Sequence, residues 1–248
     1  TAKQIVVQRI KEAEKQSISE EFQDKEGELM VGTLSREDQN NYFVDLGRCS
    51  GILPKDQIIP GEKLEMGSSV KVYVSKLEIG PKGPFIMLSR SHYGFVKRLL
   101  EIEIPELSDG TIMLYSVARD AGSRSKIAVY TEYTNVDPIG AVIGEKGRRI
   151  ANVLKELSGE KIDVILYDKD PVKFIANALS PAKDVKVSIK DETKKEALAL
   201  VNDKNLSLAI GKKGQNVKLA SRLTHYKIEV KPEEQENTET TEETSVEE

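Results

Sequence analysis

Two short glycine-bracketed stretches carry the residues best suited to chemistry. Gly144-Glu145-Lys146-Gly147 follows Ile143 and leads into Arg148, Arg149 and Ile150. Gly211-Lys212-Lys213-Gly214 follows Ile210 and leads into Gln215, Asn216 and Val217. Paired glycines have no Cβ, so they let a backbone come within contact distance of a partner. A helical pattern begins after each pair, so free N–H groups and a positive dipole end face the same point. With Lys146, Arg148, Arg149, Lys212 and Lys213 alongside, the partner is anionic, and the candidate is a nucleic-acid backbone. Ile143, Ile150, Ile210 and Val217 border the same spots and could pack against bases. One Gly-x-x-Gly says little, because glycine pairs start and end helices everywhere; two basic copies say more. Glu145 dilutes the charge of the first. The second is therefore expected to grip phosphate more strongly, and the first to lean on Arg148 and Arg149.

Other chemistries find less support. No G-x-x-x-x-G-K-[ST] stretch occurs, and Gly140 with Gly144 has the wrong spacing for a nucleotide cradle. Cys49 is the only cysteine, and His92 and His225 are the only histidines, so neither a disulfide framework nor a metal centre is expected. No catalytic residue set and no cofactor site is read. No run is long enough to span a membrane and no signal peptide is present, so a cytoplasmic protein is expected.

The net charge of -4 hides an asymmetry. Residues 232–248 hold eight Glu and no basic residue, whereas Asp137 to Lys231 holds 19 Lys/Arg against 13 Asp/Glu. A moderately basic folded part with a disordered acidic tail over 232–248 is the reading. With 248 residues, 5% aromatics and no Trp, several small domains fit better than one large core.

The positioning elements follow in order. Ala2, Ile5, Val6, Ile10 and Ala13 mark one face of a helix. It opens a chain without an initiator Met, so residues 1–23 are expected to link to an upstream part that has been removed. Five short strands are expected next, over 27–34, 41–47, 51–54, 69–74 and 85–90, in the pattern of a small barrel. Phe43-Val44-Asp45-Leu46-Gly47, Gly51-Ile52-Leu53-Pro54, Val70-x-Val72-x-Val74 and Leu88-Ser89-Arg90, with Gly32 and Gly67, resemble the S1 domain. That implies a five-stranded β-barrel of the OB type, which binds single strands with surface aromatics and basic groups. Tyr42, Phe43 and Phe85 are the aromatic candidates and Arg90 a basic one. Side chains alternate along a strand, so Tyr42 and Phe43 cannot face the same way.

The rest is a repeat, with Gly144 set against Gly211 67 residues later. Each copy reads helix, strand, strand, helix, Gly-x-x-Gly, helix, strand. Asp137-Pro138 and Asp170-Pro171 each mark a helix start, and Pro105 is expected to stop the helix over 91–101. The order resembles the KH domain in its type II topology, whose loop clamps about four nucleotides of single-stranded nucleic acid. The fold class expected is α+β and multidomain. It comprises a linker helix (1–23), an S1 barrel (24–90), two tandem KH domains (91–169 and 170–231) and the tail.

Finer detail resembles the NusA family of bacterial transcription elongation, termination and antitermination factors. The carriers are Thr1-Ala2-Lys3-Gln4, Leu88-Ser89-Arg90-Ser91, Ile104-Pro105-Glu106-Leu107, Ala118-Arg119 with Ser125-Lys126-Ile127-Ala128-Val129, and Asp137-Pro138-Ile139-Gly140-Ala141. Gly159-Glu160-Lys161-Ile162-Asp163, Asn177-Ala178-Leu179-Ser180-Pro181-Ala182 and Leu206 through Asn216 complete them. Two positions depart: Val142-Ile143 stands for the usual Cys-Val, and His225 for a usual glycine after the last long helix. The resemblance implies the RNA-binding portion of such a factor, a monomer and not an enzyme. It would hold nascent single-stranded RNA and affect pausing, termination and antitermination. Its partners would be RNA polymerase, met mainly through the upstream domain, and other Nus-type elongation factors. Exoribonucleases also carry KH and S1 modules, but in the order KH then S1 and beside large catalytic domains. A purely structural scaffold is the remaining alternative, and predicts negligible affinity for RNA.

Overall fold

The computed structural model describes residues 1–234. Helix α1 spans Ala2–Gln23, within the stretch 1–23 read as a linker helix. Its C-terminal end packs Phe22 and Ile18 onto the barrel, while Ile5, Val6 and Ile10 remain exposed.

Strands β1 (Leu29–Glu37), β2 (Asn41–Asp45), β3 (Ser50–Pro54), β4 (Ser69–Gly80) and β5 (Gly83–Ser89) close into a barrel in the order β1-β2-β3-β5-β4. Alternation decides which residues fill it: Val70, Val72 and Val74 of β4 point in, as do Val44, Leu53, Ile86 and Leu88. β4 runs six residues past its expected end at Val74. A bulge between Val74 and Lys76 breaks the alternation there, so the extension leaves no period-two signal.

The first repeat contains α2 (Tyr93–Glu103), α3 (Pro105–Ser108), β6 (Met113–Asp120), β7 (Arg124–Tyr130), α4 (Pro138–Ile143), α5 (Arg148–Glu156) and β8 (Lys161–Leu166). Pro105 does end α2, but it also opens the short helix α3 as its first residue, where a missing N–H costs nothing. Asp137 sits at the N-cap of α4 without making a capping hydrogen bond. The second repeat contains α6 (Pro171–Ala178), β9 (Lys186–Asp191), β10 (Glu196–Val201), α7 (Asp203–Ile210), α8 (Gln215–Thr224) and β11 (Lys227–Pro232). Each sheet has three strands, β6-β7-β8 and β11-β10-β9. The first two strands of each repeat pair antiparallel; the last pairs parallel, because a two-helix crossover carries the chain back. α8 ends at His225, which takes the left-handed cap at φ 60° that a glycine would fill more easily. The tail is expected from 232, but Pro232 still pairs with Val201; residues from 235 on lie outside the described residues.

The repeats are not beads on a string. β7 is buried from Ser125 to Val129 because both faces of its sheet are covered. On one face Ile127 and Val129 pack under Phe95, Leu99, Val142 and Val153. On the other, Ala118, Ala128 and Ile165 meet Phe174, Ile175, Leu219, Ala220 and Leu223 of α6 and α8. Those two helices also cover Ala197, Ala199 and Ile228 of the second sheet, so the repeats share one core. Buried Lys126 pins the seam, donating to Asp163 at 3.0 Å and to the Ser180 carbonyl at 2.7 Å. Burial pushes this lysine below its ordinary pKa while Asp163 pulls it up.

Candidate nucleic-acid interface

The two Gly-x-x-Gly loops have the same backbone. Gly144 and Gly211 sit at φ/ψ 75°/173° and 76°/169°, Lys146 and Lys213 at 52°/29° and 55°/26°, and Gly147 and Gly214 at 71°/17° and 73°/15°. Each loop is a single 3-10 turn joining α4 to α5 or α7 to α8. A Cβ on Gly144 would fall 2.6 Å from Arg149 Cγ, and one on Gly211 2.7 Å from Asn216 Cβ. A lysine at positive φ is uncommon and strained, and here both copies keep it. α5 and α8 begin at Gly147 and Gly214 without a side-chain cap, so first-turn N–H groups keep no side-chain acceptor. Lys146, Arg148, Lys212 and Lys213 stand exposed around these ends. Ile143 is exposed, and Ile150, Ile210 and Val217 are partly so.

Four expected contacts have other work. Arg90 is buried at the barrel–repeat junction: Nε and Nη2 donate to Glu62 at 2.8 and 3.0 Å, and Nη1 to the Lys71 carbonyl at 2.6 Å and to Glu156 at 3.2 Å. With its donors used inside the protein it cannot meet RNA. Arg119 and Glu160 close the same junction, paired at 2.6 Å with side chains 2% and 0% exposed. Asn216 is buried too, its amide donating to the Leu179 and Ala209 carbonyls at 3.1 and 2.9 Å. Gln215 reaches the first repeat, donating to Asp120 at 2.8 Å and Ser123 at 2.6 Å. Arg149 donates from Nη1 to Glu106 at 2.7 Å and to the Ala141 carbonyl at 2.9 Å.

On the barrel the choice between neighbours is made. Tyr42 packs toward the core; Phe43 lies outside, with the Arg36 guanidinium 4.1 Å from its ring centre. Pairing extends this outer row from Arg36 through Phe43, Ile52 and Met87 to Lys76. Arg36 was not singled out in the sequence; only cross-strand register brings it to Phe43. A cleft of about 660 Å³ was equally hidden. Ile139, Val164 and Leu166 of the first repeat face Asn177, Ala182 and Lys183 of the second across it. Among the described residues no group of three or more His, Cys, Asp or Glu could hold a metal ion, and no helix is long and apolar enough to cross a membrane.

A closed five-stranded barrel joined to two type II KH units, each with its Gly-x-x-Gly loop, defines a protein of the S1–KH–KH class. The NusA-like first KH domain matches residues 90–167, and the NusA-like second KH domain matches residues 171–238. The chain is 48% identical over 233 residues to the transcription termination/antitermination protein NusA of Halalkalibacterium halodurans, covering 94% of this chain and 61% of that protein. The NusA of Bacillus subtilis gives the same identity, with 62% of its length covered. With the NusA of Mycobacterium bovis, identity is 44% over 239 residues, 93% of this chain and 69% of the relative. The chain belongs to the NusA family. It spans about three fifths of the length of the first two relatives.

Proposed function

We propose that this chain binds single-stranded nascent RNA as part of a transcription elongation factor, and so modulates pausing, termination and antitermination. One observation carries the reading: a strained, glycine-bracketed loop that opens an uncapped helix, repeated with the same dihedrals and exposed cations. First-turn N–H groups would hold phosphate oxygens, with Lys146, Arg148, Lys212 and Lys213 adding charge. Bases would lie against Ile143, Ile150, Ile210 and Val217. Phosphate contacts fix position, and base edges carry sequence. Phe43 with Arg36 would stack a further base on the barrel. The division into linker helix, barrel and two KH domains is part of the proposal. So are contacts with RNA polymerase through an upstream domain and with other Nus-type factors, a cytoplasmic monomer, and the absence of catalysis. Titrating labelled single-stranded RNA at about 50 and 200 mM salt tests the core of it. Affinity is expected to fall roughly fifty-fold, because about four bound phosphates release counterions at a slope of about 0.7 each. Absent or salt-insensitive binding would reject the reading, and cleavage of the RNA would reject its non-enzymatic part.

A further inference from the structure

The cation beside the first loop already has a partner. Arg149 lies against Gly144 and gives Nη1 to the Glu106 carboxylate at 2.7 Å and the Ala141 carbonyl at 2.9 Å. Glu106 belongs to α3, which the second repeat lacks. Around the pair is an open cleft of about 430 Å³ that also reaches Gly140, Glu145 and Arg148. The two side chains are 32% and 30% exposed. An ion pair that open is weak and exchangeable, unlike Arg119–Glu160, which no incoming anion can reach. At the matching position of the second loop stands Asn216, neutral and buried. Lys212 and Lys213 form no ion pair with a described residue.

We propose that Glu106 is an affinity-setting residue of the first loop, a built-in carboxylate that an RNA phosphate must displace from Arg149. The Ala141 carbonyl holds the guanidinium in place during the exchange, so Arg149 stays aimed at the loop. The first loop is thereby the weaker and more readily vacated clamp. This rests on the RNA reading above and concerns the same site.

The test is a double-mutant cycle read by fluorescence anisotropy with a labelled single-stranded RNA about twenty nucleotides long. Glu106→Gln is expected to tighten binding about two- to fivefold and to steepen the salt slope by about 0.7. In an Arg149→Ala background the same substitution is expected to give no gain. Unchanged or weaker binding by Glu106→Gln overturns the inference. So does an equal gain without Arg149, which would make Glu106 a general repulsive charge. Circular dichroism checks the fold of each variant. In the unaltered chain the Arg149 Nε–H signal should shift on adding RNA, and an unmoved signal also overturns the inference. If the unaltered chain binds no RNA at either salt concentration, the broader reading has failed; if it binds and Glu106→Gln does nothing, only this inference has.

Discussion

The two KH units share one loop geometry and hold it in opposite ways. In the first, a charged arginine braces the glycine turn, is itself held by a half-buried carboxylate, and stands beside an acidic loop residue. In the second, a buried neutral amide braces the turn and leaves two lysines unopposed at its tip. Backbone shape is therefore set by the glycines and the helix starts, and is indifferent to charge. Charge and bracing are free to differ, and under the proposals above that difference would make the first clamp the more readily vacated one.

The largest expected effect lies in the bracing. Asn216→Ala takes from the Ala209 carbonyl its side-chain donor inside the core, while the Leu179 carbonyl keeps the Ala182 N–H. It should cost about 2 kcal/mol of unfolding free energy. Arg149→Ala removes a pair that is about one third open to solvent, 32% and 30% exposed, and should cost less than about 1 kcal/mol. Urea unfolding of both variants measures the gap, and equal costs would show that the two braces are equivalent after all.

Binding comes next. Lys212→Asp with Lys213→Asp should weaken single-stranded RNA affinity on the order of tenfold, while Lys146→Asp should weaken it about two- to threefold. Equal losses would place equal phosphate load on both loops. A smaller change runs the comparison backwards. Glu145→Lys gives the first loop the charge of the second and should tighten RNA about twofold, read in the same titration. No gain would mean that this position does not face the backbone.

Much of this was readable from residue order. Strand alternation located the barrel, and the helical pattern after each glycine pair located α5 and α8, because local periodicity reports burial directly. Both loops were visible because the repeat doubled a signal, a glycine pair beside cations, that says little in one copy. What stayed hidden depends on partners far away in the chain. Arg90 looks like any surface arginine until Glu62 and Glu156 close on it. Gln215 continues a basic loop, yet its amide spans 95 residues to Asp120. Phe43 and Tyr42 differ only in which face of one strand they occupy, and no local feature fixes which face is inside. The shared core was partly legible in Lys126-Ile127-Ala128-Val129, a run without alternation. Its lysine concealed a strand buried on both sides.

The smallest difference between the units is the cap on the first helix of each. In the second, the Asp170 carboxylate accepts the Val172 N–H at 3.0 Å. In the first, His92 Nδ1 accepts the Gly94 N–H at 2.9 Å, with its ring stacked between Tyr73 and Tyr93. A ring nitrogen can accept only while it is unprotonated. Burial, helped by the positive charge of Arg119, lowers the His92 pKa below 6.5. The unfolded chain therefore takes up this proton first as pH falls. The contribution is complete above 6.5 and is lost as pH drops from there through the folded value. His92→Asp copies the cap of the second unit and should remove this dependence, at a change of less than about 1 kcal/mol near neutrality. Urea midpoints measured from pH 7.5 down to 5 decide it. If the two chains lose stability in parallel over that range, the histidine cap is not what makes the first unit respond to acid.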